Sequence, residues 1–537
     1  MRKKIALLLA GFFAILCLLP VSAQAAKPQT KGKILFVPHD NRPISDAQTA
    51  DTVRCMGYEV IVPPSEMLGG RDDLGHPDQL WQWVDENAKK ADAVVLSSDA
   101  MLYGSLVGSR KHEYTQSQLG ERAAHFVEFR EKYPKLRIYA FGSIMRTPRS
   151  AAASGTMEPG YYQSYGSDIF RYTALNDKKE MEGLTRREAK ELDFLTKLIP
   201  SRSLRDWMDR RAKNVNTSHY LIDLTRKGVL DYFVLGRDDN APYSQTHMES
   251  RKLSSYGSGL PQSKFQTMAG IDEMGMLMLT RAVNDMTKSV PFVYVHYNWG
   301  AGSRTIPAYS DEPIANSIRA AIIAVGGMQV TSPQRADLVL FVNTNPNGKT
   351  FEAGTHANDG TPREGTKYFA DIVTEEIDRG SPVGIADIAY ANGADNALME
   401  LLKNRGLLFK LRAYSGWNTA TNSTGFVIAQ GVLSNRMSNE AREHLLLMRY
   451  LDDWAYQANV RLTLGNQLGW LRGSGVYSRL DDKREGVEYR GSKMMREFAA
   501  DNLASVAGLQ DLEISFPWNR LFETEIHLTS DKSLLKF

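Results

Sequence analysis

The chain has 537 residues, 42% apolar and 24% charged, with a formal net charge of +3. That balance is ordinary for a globular protein and excludes a disordered or collagen-like chain. Three of its cations, Arg2, Lys3 and Lys4, lie in the first 25 residues; without them the charge falls to zero, so charge makes no case for nucleic-acid binding.

Met1-Arg-Lys-Lys4 is basic, Ile5 to Leu19 is apolar, and Ala23-Gln24-Ala25 is a small-x-small cleavage site. Residues 1–25 therefore read as a secretory signal peptide, too short in its apolar run for a comfortable membrane span. The expectation is a secreted or extracytoplasmic protein with no stable membrane span after cleavage. Of the two cysteines only Cys55 would remain, which rules out an intramolecular disulfide and reads as a small buried hydrophobe. A mature chain of roughly 510 residues is longer than one hydrophobic core normally supports.

From residue 31 onward, short β-branched runs alternate with polar loops and helical stretches. The runs fall at 34–37, 58–62, 93–96, 137–141 and 231–235, then at 292–297, 328–331, 338–342, 383–388 and 409–414. Such alternation predicts an α/β fold with parallel sheets. The favoured arrangement is two doubly wound, Rossmann-like halves around a cleft, over 31–290 and 291–435; an irregular β/α barrel is the alternative. A helical insertion over about 150–225 reads as a lid or subsite wall, or as a solvated helical pair remote from the site. Residues 436–537 read as a helical region with a short extended tail.

Polar groups collect where the strands end. The run 231–236 leads into Asp238-Asp239-Asn240, with Glu249 beyond. Earlier, Asp40-Asn41-Arg42-Pro43 closes the first run, Asp99 the third, and Arg146 follows the fourth. In open α/β sheets and in barrels, chemistry gathers at these ends. Arg42 suits bidentate binding of a carboxylate or a hydroxyl pair; its bland role is bracing Asp40. Adjacent Asp238 and Asp239 suit acid–base work, since a neighbouring carboxylate raises one pKa of the pair. The rival explanation is helix capping. As a like-charge pair they would be strained, so Asn at either position is expected to leave stability level or higher.

Further along, Gly270-Ile271-Asp272-Glu273 opens an apolar helix. Capping accounts for Asp272 and leaves Glu273 as the better site candidate. Asp387 with Asn392, and Trp417 with Asn418, combine carboxylate, amides and an aromatic ring, the partners that sugars use. Asp395 reads as an N-cap. There is no His-Glu-x-x-His, no Gly-x-Ser-x-Gly elbow and no committed metal-ligand spacing, so neither cofactor nor metal is expected.

Taken in order, Asp40-Asn41-Arg42-Pro43, Ser98-Asp99-Ala-Met-Leu-Tyr-Gly104, Gly236-Arg-Asp-Asp-Asn240, Asp387-Ile-Ala-Tyr-Ala-Asn-Gly393 and Tyr414-Ser-Gly-Trp-Asn-Thr419 resemble a family of secreted bacterial proteins catalogued as domain of unknown function 4127. The resemblance covers nearly the whole mature chain and implies no activity. The residues themselves favour a secreted glycoside hydrolase for N-acetylhexosamine-containing or cell-wall glycans. Asp238 and Asp239 would be catalytic, and Asp40, Asn41, Arg42, Asp99, Arg146, Asn240, Glu249, Glu273, Asp387, Asn392, Trp417 and Asn418 would bind substrate. Two alternatives remain: a metal-assisted or amide/ester hydrolase with Asp40, Asp99, Asp238 and Asp387 converging on a cation, and a non-catalytic glycan- or solute-binding protein.

Overall fold

The computed structural model describes residues 30–149, 157–470 and 474–528; the expected signal peptide lies outside them. Two open parallel sheets form the frame. The first contains β1 (Lys33–Val37), β2 (Glu59–Ile61), β3 (Ala93–Ser97), β4 (Arg137–Ile144), β5 (Tyr232–Arg237) and β6 (Phe265–Ala269), in the order β2-β1-β3-β4-β5-β6. The second contains β7 (Phe292–Tyr297), β8 (Met328–Val330), β9 (Leu338–Asn343), β11 (Val383–Asp387) and β13 (Ala413–Ser415), in the order β13-β11-β9-β7-β8. Counted from its own first strand, each sheet begins 2-1-3-4-5. Two small pairings complete the set: β10 (Phe351–Glu352) with β12 (Tyr390–Ala391), and β14 (Glu513–Ser515) with β15 (Glu525–His527).

The fold is thus mixed α/β with parallel sheets, and neither sheet closes into a barrel. Of the eleven strands in the two large sheets, one was not legible in the sequence. β6, Phe-Gln-Thr-Met-Ala, mixes polar and apolar residues, because Gln266 reaches across to bond the Tyr232 hydroxyl and the Ala320 carbonyl. The run at 409–414 also shortens, since Leu408–Lys410 coils as a 3₁₀ turn before β13.

The central strands are buried on both faces: all five residues of β3, all six of β5 and all six of β9 are buried. Where the sheets meet, two helices are buried nearly all round. Ten of thirteen residues are buried in Met274–Met286, and all fifteen in Ala420–Ser434. Phe36, Phe141 and Val234 of the first sheet share one core with Val293, Leu338 and Leu340 of the second. Cys55 is half-buried against that core.

Glu273 sits at this seam and not in the cleft. It is fully buried, and neither carboxyl oxygen has a well-formed hydrogen bond. Room for it comes from two glycines. A Cβ at Gly270, whose φ is +97°, would lie 2.0 Å from Glu273 Oε1, and one at Gly425 would lie 2.4 Å from its Cγ. Burial pushes the carboxyl well above the usual range, against weak help from the backbone N–H groups of Glu273 and Ile271.

This gives a pH-dependent stability. Unfolded, the group ionises near the ordinary glutamate value of about 4.3; folded, it keeps its proton. Its contribution is fully present below that pH and is lost at about 1.4 kcal/mol per pH unit as the pH rises toward the folded value. Glu273→Gln lacks this loss. Thermal melts should show its advantage over the parent protein growing from about pH 4 to about pH 8, and a constant or shrinking advantage would show that the buried carboxyl is ionised.

Candidate active site

The cleft lies at the carboxyl ends of the first sheet's strands, facing loops of the second half and the C-terminal tail. Arg42 follows β1, Arg110 the helix after β3, Arg146 β4, Asp238 and Asp239 β5, and Asp272 β6; Tyr309, Asn392, Asn418, Tyr477, Trp518 and Arg520 close the other walls. An adjoining pocket beside Asp239 and Asn240 encloses about 330 Å³. That is the lower end of the ~300–1,000 Å³ common for ligand sites.

Each carboxylate here is matched to a guanidinium. Arg110 donates to Asp238 at 2.5 Å, and Arg146 donates to Asp239 at 2.8 Å and to Glu158 at 2.7 Å. Asp272 accepts from Arg42 at 2.5 Å, Asn418 at 2.9 Å and Asn422 at 3.2 Å, with His39 at 3.3 Å. Capping does not explain Asp272: the helix Met274–Met286 has no side-chain cap bond. Asp272 lines the cleft and Glu273 lies in the core, the reverse of what the sequence suggests.

The neighbouring acids take opposite electrostatic positions. Burial, reinforced by the charge of Asp238, raises the pKa of Asp239 against the pull of Arg146 and Arg110. Burial would also raise Asp272, but the Arg42 charge and the His39 contact outweigh it and hold that carboxyl below the usual range. One cleft therefore carries a carboxyl inclined to keep its proton and another held ionised. Opposed environments of this kind mark acid–base assignments.

The backbone is strained at the same place. Asp239, Tyr309, Asn392 and Asn418 have φ of 34°, 65°, 61° and 57°, and all four line the cleft. Non-glycine residues rarely adopt this region, and such positions cluster at functional sites. Backbone bonds hold them: Asn240 N–H donates to the Tyr309 carbonyl at 3.0 Å, and Asn392 N–H to the Asn418 carbonyl at 2.7 Å.

Several sequence candidates support the cleft without lining it. Asp40 is fully buried and braces Arg42 Nε at 2.9 Å; burial opposes its ionisation, but the Arg42 and His39 charges prevail and lower its pKa. Asn41 accepts from Trp518 Nε1 at 2.8 Å and so seats that ring on the cleft wall. Asp99 is buried beneath β4, where it accepts from Ser143 N–H; burial pushes it up to about 7. Asn240 donates to Asp311 at 2.7 Å and stitches the halves together. Glu249 grips Arg211, which in turn holds the Met145 and Arg146 carbonyls. Ser105 accepts from Gly108 N–H and caps the next helix.

Two candidates belong elsewhere. Asp387 accepts from Asn343, Tyr414 and the Asp395 backbone; burial and the Asp395 charge push it up to about 7. It orders the loop after β11 and does not converge with Asp40, Asp99 and Asp238. Trp417 is 2% exposed and packs on Phe426 and Phe522, so it is core and no sugar platform. Asp395 caps its helix through the Ala397 N–H, as its spacing predicts. Among the described residues, no three His, Cys, Asp or Glu side chains are placed to share a metal ion.

Other site residues escaped the sequence reading. Arg110 sits buried in the short helix Leu106–Lys111, which the sequence reading did not single out. Glu158 and Met157 come from the insertion, whose helices, Tyr162–Met181, Arg186–Leu198 and Ser201–Arg226, buttress the site through Arg211 and Asp177. Trp518 and Arg520 come from the tail, where the Trp-Asn-Arg grouping was the one available signal; the Arg42 and Arg520 guanidinium carbons lie 5.1 and 5.0 Å from the Trp518 ring centre.

These features define a class: a two-sheet α/β protein with a carboxylate- and guanidinium-lined cleft at its strand ends. The chain belongs to the family described as Protein of unknown function (DUF4127), whose model matches residues 34–527. No curated protein matches it.

The arginine pairing revises the expectation that either Asp→Asn change leaves stability level or higher. Asp238 and Arg110 are both nearly buried, with side chains 9% and 4% exposed. Asp238→Asn strands a buried guanidinium, a loss at or below about 3–5 kcal/mol because Glu158 still stands 3.8 Å from Arg110. Asp239→Asn leaves Arg146 with Glu158 and relieves a carboxyl that the fold prefers neutral. Thermal melts at neutral pH should therefore drop clearly for Asp238→Asn and stay level or rise for Asp239→Asn. Equal drops would show that Asp239 is held as a structural anion.

Proposed function

We propose that this protein is an extracytoplasmic glycoside hydrolase acting on N-acetylhexosamine-containing or cell-wall glycans. The observation that carries the reading is Asp239: it stands in the cleft, on a strained backbone, with its pKa raised beside Asp238 and near an ionised Asp272. Asp239 donates its proton to the departing glycosidic oxygen as the bond to the anomeric carbon breaks; water then bonds to that carbon, and the proton it gives up restores the Asp239 carboxyl. Asp238, fixed by Arg110, sustains that proton affinity and takes a hydrogen bond from the sugar's acetamido or hydroxyl group. Asp272 supplies the fixed negative charge that an oxocarbenium-like transition state requires. The extracytoplasmic setting rests on the basic-apolar-small pattern of residues 1–25.

A second reading has one observation in its favour. Asp238 and Asp239 both bond arginines, an arrangement equally suited to holding a ligand's hydroxyl groups without reaction. In that case the protein is a glycan- or solute-binding protein, and Asp239→Asn keeps full binding with no turnover to lose.

Aryl glycosides, including N-acetylglucosaminides and muramides, separate the two. On the hydrolase reading, turnover of at least one falls about 10²-fold or more in Asp239→Asn, the usual scale for losing a general acid. Because Asp239 must be protonated, kcat/KM should decline on the alkaline side, with a midpoint above the ordinary aspartate value of about 3.9. Folded parent protein that turns over none of the panel contradicts the hydrolase reading.

A further inference from the structure

Exposed aromatic side chains gather beside the cleft on the second sheet's loops. Among the described residues, fourteen large hydrophobic side chains are exposed, and five of them, Trp299, Ile306, Tyr309, Phe351 and Tyr368, fall on the two loops after β7 and β9 and the start of the helix Glu364–Asp378. Exposed apolar residues scattered singly need no explanation, whereas a gathered set marks a binding surface.

The two loops are tied together and run into the cleft. Ala301 N–H donates to the Pro346 carbonyl at 2.9 Å. The Tyr309 hydroxyl donates to Glu352 at 3.0 Å, and the other oxygen of Glu352 accepts from Asn392 at 2.8 Å. Tyr309 and Asn392 line the cleft, and Phe351 precedes Glu352, with its ring centre 6.0 Å from that of Tyr390. Trp299 is held in place although it is 53% exposed: a Cβ on Gly365 would come within 2.9 Å of its Nε1 and 3.6 Å of Pro346. A glycine at the first turn of the helix thus leaves a seat for a ring that the fold does not bury. Aromatic faces interspersed with Asn345, Asn347 and Glu352 offer what a sugar chain uses, apolar stacking surfaces with polar groups between them.

We propose that Trp299, Phe351 and Tyr309 extend the cleft into a track for a polymeric glycan, so that the protein takes a long chain in preference to a short oligosaccharide. This rests on the reading of the cleft as a glycan site. The occupant is a glycan and not a second copy of the chain because the strip is continuous with the cleft through the Tyr309–Glu352–Asn392 bonds.

The test is retention of the full protein on insoluble polysaccharides, namely purified peptidoglycan sacculi, chitin, cellulose and xylan, with the parent, Trp299→Ala/Phe351→Ala and Asp239→Asn compared. The expected result is retention of the parent and of Asp239→Asn on at least one polymer, with binding by the double variant weakened about tenfold. Melting temperature and turnover of short aryl glycosides should be unchanged in the double variant. Equal retention of parent and double variant overturns the track, and so does no retention on any of the four. A parent dimer that the double variant dissociates in sedimentation velocity also overturns it, assigning the strip to self-association. Retention that depends on the two aromatics in a protein with no turnover leaves the track standing and defeats the hydrolase reading alone.

Discussion

The Asp272 carboxylate is the joint on which the cleft depends. One oxygen takes the Arg42 guanidinium from the loop after β1, and the other takes amide hydrogens from Asn418 and Asn422 of the second half. Three segments far apart in sequence are thereby fixed to one charge. A buried ion is tolerated only when its partners are present and well placed, so the halves can pack as they do only with this loop geometry. Arg42 in turn is shared with Asp40 and lies against Trp518, which brings the C-terminal tail into the same network.

Chemistry follows from how unevenly those partners are distributed. Asp272 receives a guanidinium and two amides and stays ionised. Asp239, its side chain 32% exposed, has Arg146 at its side but Asp238 next to it, and its proton affinity rises. The strained φ of Asp239, Tyr309, Asn392 and Asn418 shows that the surrounding packing dictates these loop conformations against local preference. The two enclosed helices at the seam supply that rigidity, and their close packing leaves the Glu273 carboxyl buried without well-formed hydrogen bonds.

Much of the fold was legible because parallel strands buried on both faces are written as continuous apolar runs, and nearly all of those expected form here. β6 was not legible: its buried Gln266 is satisfied by Tyr232 and Ala320, partners distant in sequence. The site was legible where a polar cluster directly follows a strand, as at Arg42, Arg146 and Asp238-Asp239. It failed where a residue's role depends on which way one turn faces. Asp272 and Glu273 are adjacent, and only the tertiary packing decides which meets the cleft and which the core. Trp417 likewise faces inward because its loop is pinned by Asp453, which accepts from Gly416 N–H at 2.7 Å. Arg110 and Glu158 carry no local signal, since Arg110 is placed by Asp238, 128 residues further on, and Glu158 by the guanidinium groups of Arg146 and Arg110.

The central claim is that Asp239 presents a proton to a sugar's glycosidic oxygen. A crystal structure of Asp239→Asn soaked with an N-acetylglucosamine oligosaccharide tests it most directly. The account predicts a glycosidic oxygen within about 2.6–3.2 Å of the residue-239 side chain, with Asp238 bonded to the acetamido or a hydroxyl group of the same sugar. A sugar bound elsewhere, or one whose glycosidic bond lies out of reach of residue 239, would contradict it.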